Sequence, residues 1–290
     1  MHDSEAAARI ADVATADLSA WHREGLPVMH HDAAGQPAYD DADIERIREI
    51  RRLVRHGWAP RKAVELVLDV DGKEAPVDLL MGAHRRRTSA LALAARSMYP
   101  AIAEAALNEA FSTRSFEEAI DWLMAELTDL GEAWEAGLVD VAGEHLVSGI
   151  VQRRLATEYA AAALGPSGPL LVCGLPQGCH HGIPMLAFVI AARRAGFDVL
   201  DLGADVPHES WLAAVRRRRP VEVVTSVVRE DDIASVRGLL AALSAEVNGP
   251  TVYAGGGFAD QVGDPLVVLP DRIGEAARMV TARHLELESA

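Results

Sequence analysis

The stretch Leu170-Leu171-Val172-Cys173-Gly174-Leu175-Pro176-Gln177-Gly178-Cys179-His180-His181-Gly182-Ile183-Pro184 decides how this chain is read. Four apolar residues make a short run of the buried-strand type. A loop punctuated by glycine and proline follows, and Pro184 opens a helical pattern that runs to Ala195. Working outward, the alternation repeats. Strands are predicted at Leu170–Cys173, Asp198–Leu202, Val221–Ser226, Thr251–Ala254 and Leu266–Leu269. Helices are predicted at Pro184–Ala195, His208–Arg218, Asp231–Val247 and Ile273–His284. Strand–helix alternation of this kind predicts a parallel, doubly wound sheet. Ligands on such sheets bind beyond the C-terminal strand ends, so the candidate chemistry lies there.

Three groups of residues fall at those ends. His180 and His181 are adjacent after the first strand, the third strand ends in Thr225-Ser226-Val227, and the fourth in Ala254-Gly255-Gly256-Gly257. Small residues at neighbouring strand ends leave a slot, and glycine lets a ligand approach the backbone closely. A deep slot beside a histidine suits a long ligand with a metal at one end. Each residue also has a plainer reading: a loop histidine as a surface or capping residue, Ser226 and the glycines as turn residues, Cys179 as an inert thiol.

Upstream, Gly165-Pro166-Ser167-Gly168-Pro169 reads as a linker. Thr88 to Leu164 is rich in Ala, Leu and Glu and almost all helical, with breaks near Pro100, Phe111–Ser115 and Gly137, which predicts four helices in a bundle. Residues 71–85 read as a second linker. Before it lies a small helical unit with helices over Ala6–Val13 and Thr15–Glu24, a loop-like Val28–Tyr39, and an amphipathic helix from Asp40 to about His56 that Gly57 closes. A further helix starts at Pro60. The expected domains are therefore 1–70, 86–164 and 169–288, mainly α followed by α/β.

Composition bounds the function. The chain has 290 residues, half of them hydrophobic, and a net charge of −15. A whole-surface nucleic-acid coat is disfavoured by that charge. Two cysteines, Cys173 and Cys179, argue against a disulfide framework and for a reducing cytoplasm. No apolar run approaches the ~20 residues of a membrane span, and the first residues carry no signal-peptide pattern.

The sheet motifs resemble those of cobalamin-binding Rossmann-like (flavodoxin-like) domains, which carry an Asp/Glu-x-His-x-x-Gly loop, a Ser-x-Leu strand end and a Gly-Gly strand end. The resemblance implies that His181 ligates cobalt in place of the cofactor's own dimethylbenzimidazole. It also implies that the displaced nucleotide arm fills the slot at Ser226, Val228, Gly255 and Gly256. Cys179, His180 and Gly182 then flank the ligand, and Gly203 and Asp205, in Leu202-Gly203-Ala204-Asp205, lie against the corrin. Two residues depart from the pattern: Cys179 stands where an acid orients the imidazole, and Pro184 where glycine is commonest. A metal-bound histidine hands its other N–H to an acceptor, so another group must serve here.

The bundle carries a second match. Trp134, nine intervening residues and Glu144-His145 resemble the cap of light-sensing, adenosylcobalamin-dependent MerR-type repressors, the CarH and LitR group. This implies that Trp134, Val141, Glu144 and His145 enclose the upper ligand, with adenosylcobalamin or methylcobalamin held between bundle and sheet. Light would break the cobalt–carbon bond and move the bundle. In that group a second cobalt-binding histidine follows the tryptophan; here the residue is Glu135. Val13–His22, Tyr39 and Asp43–Ile47 resemble a MerR winged helix-turn-helix skeleton, degenerate in charge. Residues 1–70 hold nine Lys and Arg against thirteen Asp and Glu, and Ser19 stands at a phosphate-contacting arginine position. Phosphate neutralisation supplies most non-specific DNA affinity, so weak DNA binding is expected, with output through a homo-oligomer or a protein partner.

The expectation is a cobalamin photoreceptor and not an enzyme. Three alternatives stay open. One is a two-chromophore photocobilin that also binds biliverdin, with His22, His30, His31 or His180 holding its propionates. The others are a light-dependent DNA-binding repressor and a corrinoid methyl-transfer shuttle.

Overall fold

The computed structural model describes residues 1–32, 34–55, 60–61, 63–64, 67–68, 89–162 and 168–289. The expected linker at 71–85, the Gly57 stop, residues 163–164 and residues 165–167 of the linker Gly165–Pro169 lie outside them. The described chain forms two compact units. One comprises Met1–Ser112 and Ala125–Ile150, the other Thr113–Met124 and Val151–Ala290.

The first unit opens with β1 (His2–Asp3), α1 (Ser4–Ile10), α2 (Thr15–Arg23), β2 (His30–His31), β3 (Pro37–Tyr39) and α3 (Asp41–Arg55). The stretch Val28–Tyr39 is not a plain loop. Its two short strands join β1 in an antiparallel three-stranded sheet of order β1-β3-β2. The first helix ends at Ile10 and not at Val13, because Asp12 turns the chain with φ +55°. α3 starts where the charge pattern requires. The Asp43 N–H donates to Asp40 Oδ1 at 2.8 Å and the Asp40 N–H to Asp43 Oδ2 at 3.1 Å, a reciprocal cap. Leu18, Trp21, Tyr39, Ile44, Ile47 and Ile50 form the buried face of this segment. His22 is committed inside it, with one ring nitrogen 2.8 Å from Tyr39 Oη and the other 2.7 Å from the Leu26 carbonyl.

Four helices follow, as the breaks predict: α4 (Ala90–Ser97), α5 (Pro100–Thr113), α6 (Phe116–Glu135) and α7 (Val141–Ala161). Ser89 caps α4 by accepting from Ala92 N–H at 3.2 Å. The buried Glu126 carboxylate accepts from Ser89 Oγ at 2.9 Å and from Leu91 N–H at 3.1 Å. Close packing of α7 on α4 explains Gly143, where a Cβ would stand 2.4 Å from the Ala95 carbonyl oxygen.

The second unit holds β4 (Leu170–Cys173), α8 (Gly182–Arg194), β5 (Asp198–Asp201), α9 (His208–Arg218), β6 (Glu222–Ser226), α10 (Asp232–Ser244), β7 (Thr251–Gly255), β8 (Val267–Val268) and α11 (Ile273–Ser289). The strands are parallel and ordered β5-β4-β6-β7-β8. This is the doubly wound order whose winding reverses between β4 and β6, where such folds open a ligand crevice. Val172, Trp211, Val223, Val236, Leu239 and Val252 belong to the core of this unit. α10 is three residues shorter at its end than its apolar pattern suggests; Ala245 caps it and Asn248 reverses the chain with φ +55°.

Candidate cofactor site

The site is built from loops that leave the C-terminal ends of the strands. The β4 loop carries Cys179, His180 and His181, and it is braced from three sides. The Gly178 N–H donates to Asp205 Oδ1 at 2.8 Å, and the Asp205 N–H donates to the Cys179 carbonyl at 3.0 Å. The Arg229 guanidinium donates to the Gly178 carbonyl at 3.2 Å, and Ser235 Oγ to the Gln177 carbonyl at 3.4 Å. Asp205 achieves its double contact with φ +55°, a conformation that Asp tolerates better than most residues. Gly203 precedes it in the same exposed turn and accepts from Leu175 N–H at 2.8 Å.

His181 stands at the N-cap of α8 and makes no capping hydrogen bond. Among the described residues its ring has no partner, and it is exposed; the same holds for His180. An unused imidazole at a braced loop is free to bind something else. Cys179, by contrast, is buried beneath the loop. Burial pushes its thiol pKa up, partly offset by the His181 N–H that the sulfur accepts. Gly182 opens α8, and its N–H donates to the His180 carbonyl at 2.8 Å.

At the ends of β6 and β7 lies a cavity of about 220 Å³. Its walls are mostly apolar: Pro184, Met185 and Phe188 from α8, Val224 and Val228 from β6 and its loop, and Leu269 beyond β8. Ser226, Gly255 and Gly256 also line it, so four of the expected slot residues come together. Ser226 Oγ donates to the Gly255 carbonyl at 3.3 Å. Gly256 has φ +100°, and a Cβ there would stand 2.4 Å from the Val227 carbonyl oxygen and 3.2 Å from Ser226 Oγ. The glycine therefore has a backbone reason as well as a cavity reason. Sequence reasoning passed over Thr225. It lines the same cavity and is 1% exposed, and its Oγ1 is buried with no hydrogen-bond partner. A strand residue flanked by β-formers gives no such signal until its neighbours are in place.

A long cofactor with an apolar arm fits this donor set. The slot offers shape, and the loop offers an unspent imidazole. Cys179, His180, His181, Gly182, Gly203 and Asp205 are outside the cavity lining, on the loops of β4 and β5.

The four remaining expected residues belong to the first unit. Trp134 lies near the end of α6 and is 49% exposed. Val141 and Glu144 open α7, and Val141 is also exposed. His145 is exposed, with Nε2 3.6 Å from Glu144 Oε2. Glu144 also accepts from Ser148 Oγ.

Comparison with known proteins adds two findings on families. Residues 4–68 match the family described as MerR HTH family regulatory protein, and residues 89–157 match the B12 binding domain. The chain is 31% identical over 264 residues to the HTH-type transcriptional repressor CarH of Myxococcus xanthus, spanning 87% of this chain and 88% of that one. It is 29% identical over 266 residues to the repressor CarA of the same organism, spanning 88% and 86%. Among solved structures, the monomethylamine corrinoid protein of Methanosarcina barkeri is similar in fold, with a TM-score of 0.52 and 16% identity, over 67% of this chain and 96% of that one.

Proposed function

We propose, for a chain that belongs to the CarH-like family of MerR-type cobalamin-binding proteins, that it is a light-responsive regulator holding cobalamin through His181 and the slot at the ends of β6 and β7. One observation carries this reading. A partner-free imidazole stands at the N-cap position of α8, and residues of that helix, Pro184, Met185 and Phe188, also wall a mostly apolar slot in which Gly256 admits no side chain. Cobalamin, when bound, supplies a cobalt–carbon bond that light can cleave.

The chain's own residues do the rest. His181 is the cobalt ligand of this reading. Asp205, Arg229 and Ser235 hold its loop by backbone contacts, so little loop-ordering cost falls on binding. Gly203 and Asp205 present the β5 turn toward the macrocycle, with His180, Gly182 and Cys179 flanking. Ser226, Val228, Gly255 and Gly256 take the nucleotide arm. Trp134, Val141, Glu144 and His145 serve the upper ligand, adenosyl or methyl. Glu135 is a carboxylate where the family's second imidazole would stand, so the lit state cannot use that position as a nitrogen ligand. The protein regulates and does not turn over a substrate.

Output through DNA is weak in this reading. Three arginines of α3 are already paired internally: Arg46 with Asp43 at 2.8 Å, Arg48 with Glu45, and Arg51 with Asp12. Guanidinium groups engaged this way neutralise fewer phosphates. A homo-oligomer or protein partner in the cytoplasm is the proposed output.

The test is an absorption spectrum of the purified chain with adenosylcobalamin, kept dark and then illuminated. The dark complex shows cobalt ligated by histidine, light changes the spectrum, and His181→Ala loses most cofactor retention while His180→Ala keeps it. Full retention in His181→Ala refutes the ligand assignment. A spectrum unchanged by light refutes the photoreceptor. Adding biliverdin in the same experiment decides the two-chromophore alternative, which a new red band would establish. His22 and His30 are poor candidates for holding its propionates, since His22 bonds Tyr39 and Leu26, and His30 lies 3.2 Å from Asp40.

A further inference from the structure

Cys179 does more than lie beneath the β4 loop. Its sulfur accepts the His181 backbone N–H, and its thiol hydrogen goes to the Asp232 carboxylate. Burial first, and the nearby Asp232 charge with it, keep that thiol protonated and so able to donate. Asp232 is itself only 3% exposed, in the first turn of α10. Its Oδ2 accepts the Arg229 N–H at 2.9 Å, and its Oδ1 lies 3.8 Å from the Arg229 guanidinium. Arg229, Asp232 and Ser235 recur every third residue at the head of α10, and all three reach the β4 loop: at Gly178, Cys179 and Gln177. Burying a carboxylate costs stability unless its oxygens are bonded, so these contacts tie helix and loop to a single arrangement. His181 is the part of the loop with most to gain. It is the central residue of an inverse γ-turn, with φ −77° and ψ 62°, closed by the Gly182 N–H on the His180 carbonyl at 2.8 Å. That turn does not use the N–H of His181, and the Cys179 sulfur takes it.

We propose that Asp232 is a positioning residue for His181, acting through Cys179. The carboxylate fixes the thiol, the sulfur fixes the His181 N–H, and the imidazole is presented in a set direction before any cofactor arrives. The proposal rests on the preceding reading that His181 ligates cobalt. A loop set in advance has less conformational freedom to lose on binding.

The experiment uses the full-length chain. Amide hydrogen exchange over residues 178–182 is read by mass spectrometry in the cofactor-free protein, and cobalamin uptake is read from the absorption spectrum. Asp232→Asn keeps an oxygen for the Arg229 N–H but turns an amide N–H toward the thiol. Cys179→Ala removes the sulfur. Each is expected to speed loop exchange and slow cobalamin uptake about tenfold, the low end for a hydrogen bond to a charged group. The double variant should be no worse than either single one, because all three break the same chain of contacts. Cys179→Asp sets a second carboxylate against the first and should lose cobalamin uptake. Adding Asp232→Asn to it removes the repulsion and should restore uptake.

A residue that merely caps α10 would give an Asp232→Asn effect that multiplies with that of Cys179→Ala, and would not rescue Cys179→Asp. Either result overturns the proposal, and so does wild-type loop exchange in Asp232→Asn. If Cys179→Ala does not fold, failure of Asp232→Asn to restore Cys179→Asp still refutes it. Full cobalamin retention by His181→Ala is a different failure, because it takes the ligand off the loop and with it the reading on which the proposal rests.

Discussion

Three consecutive glycines close β7, and the structure assigns them different work. At Gly256, alanine meets two obstacles. The backbone has φ +100°, and the new Cβ would lie 2.4 Å from the Val227 oxygen and 2.8 Å from its carbonyl carbon. Those atoms are backbone and cannot rotate away. Positive φ costs a side-chain-bearing residue about 1–2 kcal/mol, and an overpacked contact in a fixed wall about 1–3 kcal/mol. Gly256→Ala should therefore lose about 2–4 kcal/mol of stability. At Gly257 nothing lies within 4 Å of the added Cβ, so Gly257→Ala should change stability by less than about 0.5 kcal/mol. At Gly255 the nearest atom is Leu269 Cβ at 4.0 Å. Gly255→Ala thus folds normally, but its methyl takes space in a cavity of about 220 Å³ and should weaken cobalamin binding. Urea denaturation of the cofactor-free proteins measures the first two effects, and titration with cobalamin the third. Equal midpoints for Gly256→Ala and Gly257→Ala would refute the steric reasoning.

Other consequences are more local. Glu222 is fully buried at the start of β6; burial raises its carboxyl pKa above the ordinary 4.5, while the Tyr253 hydroxyl and His284 pull it back. A raised carboxyl pKa means that the folded state holds the proton longer, so this group's support for folding is lost as pH climbs through its folded pKa. Glu222→Gln should match wild type below about pH 4.5 and exceed it at neutral pH in thermal melts; a constant offset across pH would contradict this. Glu126→Ala leaves the Leu91 N–H and Ser89 hydroxyl without their acceptor in a buried place, and should cost about 2–3 kcal/mol in urea denaturation. In a gel shift with its own promoter DNA, the dark protein should bind weakly at about 150 mM salt, with a salt dependence made shallower by the three α3 arginines already paired internally; tight binding there would restore the ordinary repressor.

The sheet unit was legible because each of its strands is a short apolar run between helices, and that pattern is local. β4 and α9 fall at their expected bounds, and the four helices break where Pro100, Phe111–Ser115 and Gly137 interrupt the periodicity. The strands at His30–His31 and Pro37–Tyr39 were not legible, because two or three residues cannot display a period of two. The pairing of Ala38 and Tyr39 with Asp3 and His2 spans more than thirty residues of sequence, and only the folded chain creates it.

The candidate site divides along the same line. His181, Ser226 and the glycines can be found from residue type and position on strand ends, since each has a recognisable spacing. Thr225 cannot, because its distinguishing property is a missing hydrogen bond and not a pattern. The loop braces are hidden for a related reason. Asp205 sits in a turn that looks like a ligand contact, yet its Oδ1 is spent on Gly178 and its N–H on Cys179. An aspartate so engaged acts on a cofactor through the loop it holds. Replacing it with Asn would keep one of the two contacts through the backbone and swap the other for a weaker, neutral acceptor. The expected result is a loosened His181 loop, read as slower cobalamin uptake with the final histidine-ligated spectrum unchanged. A changed final spectrum with normal uptake would instead make Asp205 a direct partner of the bound cofactor.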